Sequence, residues 1–452
     1  MELTPEKIYE EYKKNNLDKV SATELLFSLI DNSDKDKIRV GSIKELANID
    51  ARDEKTFKHL ENLLISDLSE TVRATAAVIL KNLFLDKSLE PMKWALKHEV
   101  SPSCLKIIYE TLCQIISNIV RKDNSISKFF LLTEVKKIEH KEFKIGFEIL
   151  GEKKGLENIT TKELAEILIN YFTLLFLEKT YWRIKFKIEK CRIIELDFIF
   201  KGLTHIPDAI ENLTALKKLI FRYNQLFSLP DWIGSLIFLE ELNFNVNNLK
   251  KIPNTMGSLT ALKNLSLWKN EINYLPDSMG SLTSLEFLNL RINDLKELPE
   301  TIGNLNQLKE LNLHDNKLEQ LPNTIGYLSS LEKLNLSWNS LESIPESIGS
   351  LLSLQILDLE RNDLKTIPES IGFLHSLEFL NLSDNKLETL PETLGSLSSL
   401  QILNISRNSL KNLPKSLINL SNLKEIYIGD NKLNDTSNLA LKLEQQGIHI
   451  YY

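Results

Sequence analysis

Cysteine is scarce in this chain, with Cys104, Cys113 and Cys191 its only three in 452 residues. They form no Cys-x-x-Cys pair and their number is odd, which excludes a disulfide scaffold and suits a reducing compartment. The seven histidines are scattered, none at a metal-ligand interval from a cysteine or carboxylate, so neither zinc nor any cofactor is expected. Long apolar runs are missing as well. The greasiest stretch, residues 167–177, is broken by Asn170 and falls short of the roughly 20 residues that span a bilayer. No apolar segment follows the charged opening Met1-Glu2-Leu3-Thr4-Pro5-Glu6, so no secretory signal is read. The expectation is a cytoplasmic, monomeric protein without a membrane span.

Positive charge runs short in the second half. Residues through Lys190 carry 32 basic and 31 acidic side chains, and the remainder carry 23 and 31. A surface of net negative sign repels a phosphate backbone, which argues against nucleic acid as a partner. With 42% apolar and 26% charged residues the composition is that of a folded chain, and the length exceeds the roughly 250 to 300 residues of one core.

Glycine and proline are few, and their placement is regular. Asn224, Asn247, Asn270, Asn293, Asn316, Asn339, Asn362, Asn385, Asn408 and Asn431 follow one another at intervals of 23. Pro207 through Pro414 keep that interval, and Gly234 through Gly395 sit four residues behind eight of those prolines. One unit, Leu308 to Pro322, places Leu311 and Leu313 two apart, hence on one face of a short strand, with Leu308, Leu318, Leu321 and Leu328 filling the same interior. No unit can bury that face alone, so neighbours must stack into a parallel ribbon. A buried amide at Asn316 can donate to and accept from backbone groups that the turn leaves unpaired. Pro322 presets φ for the return leg, and Gly326 is expected to supply a positive φ.

These residues resemble the leucine-rich-repeat family, and the Leu-Pro-x-x-Ile-Gly-x-Leu stretch resembles its Ras-group subclass. The resemblance covers 193 to the C-terminus, about eleven repeats in residues 191–452. It implies an α+β repeat protein, a solenoid with a parallel β-sheet on its concave face, and a non-catalytic scaffold or adaptor in signalling that binds protein. Some relatives engage small GTPases, so a GTPase regulator is the alternative, with Arg222 and Arg291 as the groups to test. At the front, Trp182 to Ile188 alternates like a covering strand; at the back, residues 439–446 read as a helix before a terminal strand, forming a cap.

The N-terminal half reads as helical. Thr4-Pro5 starts a helix and Ser21-x-x-Glu24 has the form of a capping box. Asp36-Lys-Ile38-Arg39 and Glu70-Thr-Val72-Arg73 lie 34 residues apart. The segment from Ser69 resembles the first helix of a HEAT repeat, with Ala76 and Ala77 allowing close helix approach. The reading is a HEAT-like domain at 1–120, two to three repeats, or else an ordinary bundle with a similar stripe. Residues 121–190 are read as a mixed connector and solenoid cap, with Phe143, Ile145, Phe147 and Ile149 alternating like a strand and 161–178 helical.

Candidate chemistry is sparse. Gly146 and Gly151 have phosphate-loop spacing, but Glu152 and Lys153 follow where Lys and Ser/Thr are needed. No nucleophile, base and oxyanion set is visible, so no enzyme is expected. Triplets such as Asn335-Leu-Ser337 arise from the strand pattern. The outward positions of the ribbon carry Arg222, Tyr223, Asn245, Trp268, Lys269, Arg291, His314, Asp315, Trp338, Glu360 and Arg361, and farther along Ser383, Asp384, Ser406 and Arg407. Aromatic and arginine side chains dominate binding hot spots, so this patch is the candidate partner site. A second column, Asn243, Asn289, Asn312, Asn335, Asn381 and Asn404, is read as a structural ladder across strands.

Overall fold

The computed structural model describes residues 3–434 and 437–452, leaving Met1 and Glu2 of the charged opening outside the description. Two compact units emerge: Met1–Ile184 with Ile188–Ile193, and Lys185–Lys187 with Ile194–Tyr452.

The first unit is built of α1 (Pro5–Lys13), α2 (Lys19–Asn32), α3 (Asp36–Asn48), α4 (Glu54–Ser66), α5 (Glu70–Leu83), α6 (Leu89–His98), α7 (Pro102–Lys122), α8 (Ser125–Lys136), α9 (Lys141–Lys154) and α10 (Thr161–Thr180). Thr4 caps α1, accepting from the Lys7 N–H, with Pro5 in the first turn. The cap of α2 differs from the expected box. Asp18 accepts from the Ser21 N–H at 2.7 Å, so the helix starts one turn earlier and Glu24 instead pairs with Lys55. A carboxylate binds better than a hydroxyl at the positive end of a helix.

The 34-residue spacing has a physical counterpart. α3 packs on α5 and α5 on α7, and each step is pinned by an arginine. Arg39 pairs with Asp67, whose side chain also accepts from the Ser69 N–H. Arg73 makes a two-pronged pair with Glu99 at 2.7 and 2.9 Å, and Glu99 accepts from the N–H groups of Val100 and Ser101. Burial raises the Glu99 carboxyl, but Arg73 and those N–H groups outweigh it and hold it at about 2.

Residues 143–149 are helical, which corrects the strand expected there. Along α9 the buried or half-buried positions are Phe143, Gly146, Phe147 and Leu150, a helical interval, while Ile145 and Ile149 are exposed. Gly146 is there because α9 touches the backbone at Cys191; a Cβ would lie 2.8 Å from the Cys191 nitrogen. Residues 161–178 do fall in α10, opened by a capping box between Thr160 and Glu163. Among the described residues no helix is long and apolar enough to cross a membrane.

The second unit is a coil of strands and 3-10 turns. β1 (Lys185–Glu189) and β2 (Arg192–Asp197) lead into β3 (Lys218–Ile220), β4 (Glu241–Asn243), β5 (Asn264–Ser266), β6 (Phe287–Asn289), β7 (Glu310–Asn312), β8 (Lys333–Asn335), β9 (Ile356–Asp358), β10 (Phe379–Asn381), β11 (Ile402–Asn404) and β12 (Glu425–Tyr427). α11 (Ser437–Gln445) and β13 (His449–Tyr451) close it. The thirteen strands form one sheet in chain order, and each from β2 onward pairs in parallel with the next. At the last strand, β13 pairs with β12 and Tyr451 stacks on Tyr427 at 4.4 Å.

Leu308, Leu311, Leu313, Leu318 and Leu328 are fully buried, as are their equivalents in the inner coils, while Leu203 and Leu433 at the two ends are half-buried. Each is worth roughly 1.5–3 kcal/mol of burial. Phe198, Phe221 and Phe244 take the Leu313 position in the front coils and stack at 4.9 and 5.8 Å. Opposite the sheet, each proline opens a 3-10 turn; Pro322, at φ −67°, precedes Asn323–Tyr327.

The repeat glycines do not serve the purpose expected of them. Positive φ among glycines occurs at Gly155, Gly202 and Gly447, and at none of the repeat positions. A Cβ on Gly326 would lie 2.3 Å from the Ser347 carbonyl oxygen of the next coil, so glycine is needed for close stacking of the turns. Left-handed backbone falls elsewhere: Phe200, Tyr223, Val246, Lys269, Ile292, Asp315, Trp338, Arg361, Asp384, Arg407 and Asp430 all have φ of 53–57°. Each stands just before the residue at the ladder position.

Candidate functional site: the sheet face

The sheet face is organised in rows by the strand register. Side chains before and after each central leucine point the same way. One row therefore reads Lys218, Glu241, Asn264, Phe287, Glu310, Lys333, Ile356, Phe379, Ile402, and the next reads Asn243, Ser266, Asn289, Asn312, Asn335, Asp358, Asn381, Asn404. Past the strand ends run the two rows of the candidate patch.

The ladder amides hold those rows in place. Asn316 is buried; its Nδ2 donates to the carbonyls of Leu290 and Leu313, both at 3.0 Å, and its Oδ1 accepts from the Leu295 N–H at 3.1 Å. Asn224 does the same at the front, accepting from Lys201 and Leu203. Asn431 at the back donates to Ile405 and Ile428. Each amide thus joins its own coil to the preceding one and secures the bend in which the left-handed residue sits.

The second asparagine column works differently from a ladder across strands. Asn243, Asn289, Asn312, Asn335, Asn381 and Asn404 each accept, through Oδ1, from the N–H two residues on at 3.0–3.1 Å. Asp358 does so with Glu360. These are turns that close the strand end within one coil. Cross-strand bonds are long, Asn335 to Asp358 at 3.5 Å. Burial raises the Asp358 carboxyl, partly offset by the Glu360 N–H.

The candidate residues line up in consecutive coils but differ in exposure. Lys269, Arg291, Asp315 and Arg361 are exposed, and Trp338 is 42% exposed, whereas Arg222, Asn245, Trp268, His314 and Glu360 are half-buried. Trp268 is thus less open than a free surface tryptophan. Tyr223 stacks on Phe200 at 4.5 Å, and the Arg361 guanidinium lies 3.8 Å over the Trp338 ring. His314 bonds through Nδ1 to the Ser337 hydroxyl at 2.7 Å, and burial, then the charge of Arg291, pulls its pKa below the usual histidine value. Arg222 and Arg361 are six coils apart, roughly 29 Å at 4.8 Å per strand, too far for one small ligand and within the span of a protein interface.

Residues on the strands themselves were missed from sequence. Glu241, Asn264, Phe287 and Glu310 line a hollow of about 370 Å³ with Ser266 and Asn289, and Phe287 is 42% exposed. The signal was present: positions flanking the central leucine vary from coil to coil at the 23-residue interval. Among the described residues no group of three or more His, Cys, Asp or Glu could hold a metal ion. Burial pushes the thiols of Cys104, Cys113 and Cys191 up to about 12, 11 and 12, so none is a thiolate at neutral pH.

Residues 185–291 and 254–343 match the family described as leucine-rich repeat region, and residues 339–387 match leucine rich repeat. The coils are leucine-rich repeats. Several solved structures are similar to part of the chain. A protein of Leptospira interrogans is 27% identical over 56% of this chain and 82% of its own, with a TM-score of 0.35. The ectodomain of the plant membrane receptor kinase GASSHO1/SCHENGEN3 from Arabidopsis thaliana, solved with Casparian strip integrity factor 2, is 28% identical over 57% of this chain, with a TM-score of 0.48. This chain spans 38% of that one. FLRT2, in an octameric complex with latrophilin 3 and Unc5D, is 23% identical over 56% of this chain and 87% of its own, at 0.46. No curated protein matches. Leucine-rich repeats are typical protein-interaction modules.

Proposed function

We propose that the chain is a non-catalytic docking scaffold whose sheet face, the concave side of the solenoid, holds a protein partner. The observation that carries this reading is the contrast between an interior of buried leucines and an outward face whose bend positions hold aromatic, basic, acidic and polar residues in turn, with Trp338 and Arg361 stacked and open to solvent. Stacked Trp and Arg pairs bring large area at low entropic cost, as hot spots do. The Ras-group pattern and the arginine-pinned, HEAT-like helices support a chain with a second surface, which would raise the effective concentration of two bound partners. Three free thiols support a reducing compartment, and monomeric state is part of the same reading.

A GTPase regulator needs an arginine free to reach a nucleotide. Arg291 suits this better, being exposed, than Arg222, which is half-buried. Partner capture by wild type and by Trp338→Ala/Arg361→Ala, with folding checked by circular dichroism, tests the scaffold. Loss of capture by the folded variant supports docking on this face, and undiminished capture refutes it.

A further inference from the structure

We infer that the sheet-face bend of the second to fifth coils recognises an acidic peptide segment of the partner, through a row of hydrogen-bond donors and unpaired cations contributed by Arg222, Asn245, Trp268, Lys269 and Arg291. This deepens the docking reading above and rests on it.

The row is made of donors. Arg222 Nε and Trp268 Nε1 are buried N–H groups with no acceptor among the described residues. Between them, Asn245 Oδ1 is taken twice, by the Trp268 N–H at 2.9 Å and the Ser266 hydroxyl at 2.7 Å, which leaves only its Nδ2 hydrogens to offer. Arg and Trp side chains have no acceptor lone pair at these nitrogens, so only an acceptor-bearing ligand can complete the row. A desolvated donor gains most from an ionised acceptor.

The charges point the same way. Several lysines elsewhere on the coils are paired across one coil, as Lys218 with Glu241 at 2.7 Å, Lys263 with Glu240 at 3.1 Å and Lys309 with Glu286 at 2.7 Å. Arg222, Lys269 and Arg291 make no ion pair among the described residues, and the acid that faces their strands, Glu241, is already engaged by Lys218. Three cations without an ion pair thus stand within four coils whose bend rows carry no acid, in an array that is negative as a whole. Farther along, acids interleave: the row of Arg222 turns to Ser337, Glu360, Ser383 and Ser406, and the row of Lys269 to Asp315, Trp338, Arg361, Asp384 and Arg407, with Arg361 held over the Trp338 ring. The acidic segment therefore registers on the front coils. From Arg222 to Arg291 is three strand spacings, roughly 14 Å, or about four to five extended residues. Three cations within an acidic array are too few to hold a nucleic-acid backbone against that repulsion, which favours a short peptide.

Fluorescein-labelled hexaglutamate is the probe, followed by anisotropy on the full chain, with hexalysine, a phosphoserine peptide and single-stranded oligouridine alongside. Hexaglutamate is expected to bind in preference to the other three, and about tenfold more weakly in Lys269→Glu/Arg291→Glu, whose positions are exposed and tolerate folding. Lys415→Glu, a lysine on the 3-10 side, should change nothing. Trp268→Phe, which keeps the ring and removes the N–H, should weaken binding a few-fold. Absence of hexaglutamate binding, an equal loss in Lys415→Glu, or tighter binding of the phosphoserine or RNA probe overturns the inference. If hexaglutamate fails while partner capture still depends on Trp338, this inference falls and the scaffold stands. If capture is indifferent to Trp338 as well, both fall.

Discussion

Replacing Asn316 by alanine removes four hydrogen bonds, the longest to the His314 carbonyl, which keeps the Ile292 N–H, yet only one partner is orphaned. The Leu290 carbonyl keeps a second donor in Asn293 Nδ2 at 2.9 Å, and the Leu313 carbonyl keeps Asn339 Nδ2 at 3.0 Å. The Leu295 N–H has Asn316 Oδ1 as its acceptor and loses it. One buried unsatisfied donor costs about 1–3 kcal/mol, so Asn316→Ala should fall there. Asn316→Asp keeps an acceptor for Leu295 but sets a buried carboxylate oxygen against two carbonyl oxygens. It should cost more than alanine at pH 7, on the order of 3–5 kcal/mol. Because its folded pKa is then raised, the aspartate variant should recover relative to alanine as pH falls toward 4, when a protonated carboxyl can donate again. Urea unfolding measures the costs, and hydrogen exchange at the Leu295 amide locates the lesion, which matters in an array that can open coil by coil. An alanine cost below about 0.5 kcal/mol, or equal costs for the two variants at every pH, would refute the reasoning.

Glu99 carries a pH signature: held at about 2 against an ordinary 4.5, its side chain contributes stability that is present above pH 4.5 and lost as pH falls through 2. The stability gap between wild type and Glu99→Gln, on the order of 3 kcal/mol at pH 7, should narrow as pH falls below 4.5 and close only below the folded pKa of about 2 in urea titrations. Val246, β-branched at φ 57°, sits where asparagine fits better, and Val246→Asn should raise the thermal midpoint by the equivalent of about 1 kcal/mol. Gly303→Ala places a Cβ 2.4 Å from the Thr324 carbonyl oxygen and should destabilise by about 1–3 kcal/mol in calorimetry.

The solenoid was readable from sequence because burial in a stacked array repeats at the spacing of the chain, and leucine, asparagine and proline each answer to one local demand. The left-handed bend was not, since its eleven positions hold residues as unlike as Phe200, Lys269 and Asp315, and the conformation is imposed by the amide bonded on either side. The repeat glycines were visible and misread: sequence shows that a side chain is missing, and both a positive φ and a close neighbour require that. In α9, alternation of Phe143, Ile145, Phe147 and Ile149 mimicked a strand, because the helical stripe runs through Gly146, which has no side chain to mark it. For the candidate site, the bend residues and the asparagine row were named from sequence and the strand row with Phe287 was not, because exposure on a three-residue strand depends on register. Half-burial of Trp268 likewise follows from its neighbours in adjoining coils.

The central claim is that the sheet face is where partner protein sits. Photo-crosslinking groups placed one at a time at Asn289, Asn312 and Trp338 on the sheet face, and at Asn323 and Tyr327 on the 3-10 side, test it directly in the native host. The account predicts one shared adduct from the sheet-face positions and none from the 3-10 positions. Adducts from Asn323 and Tyr327, with none from the sheet, would contradict it.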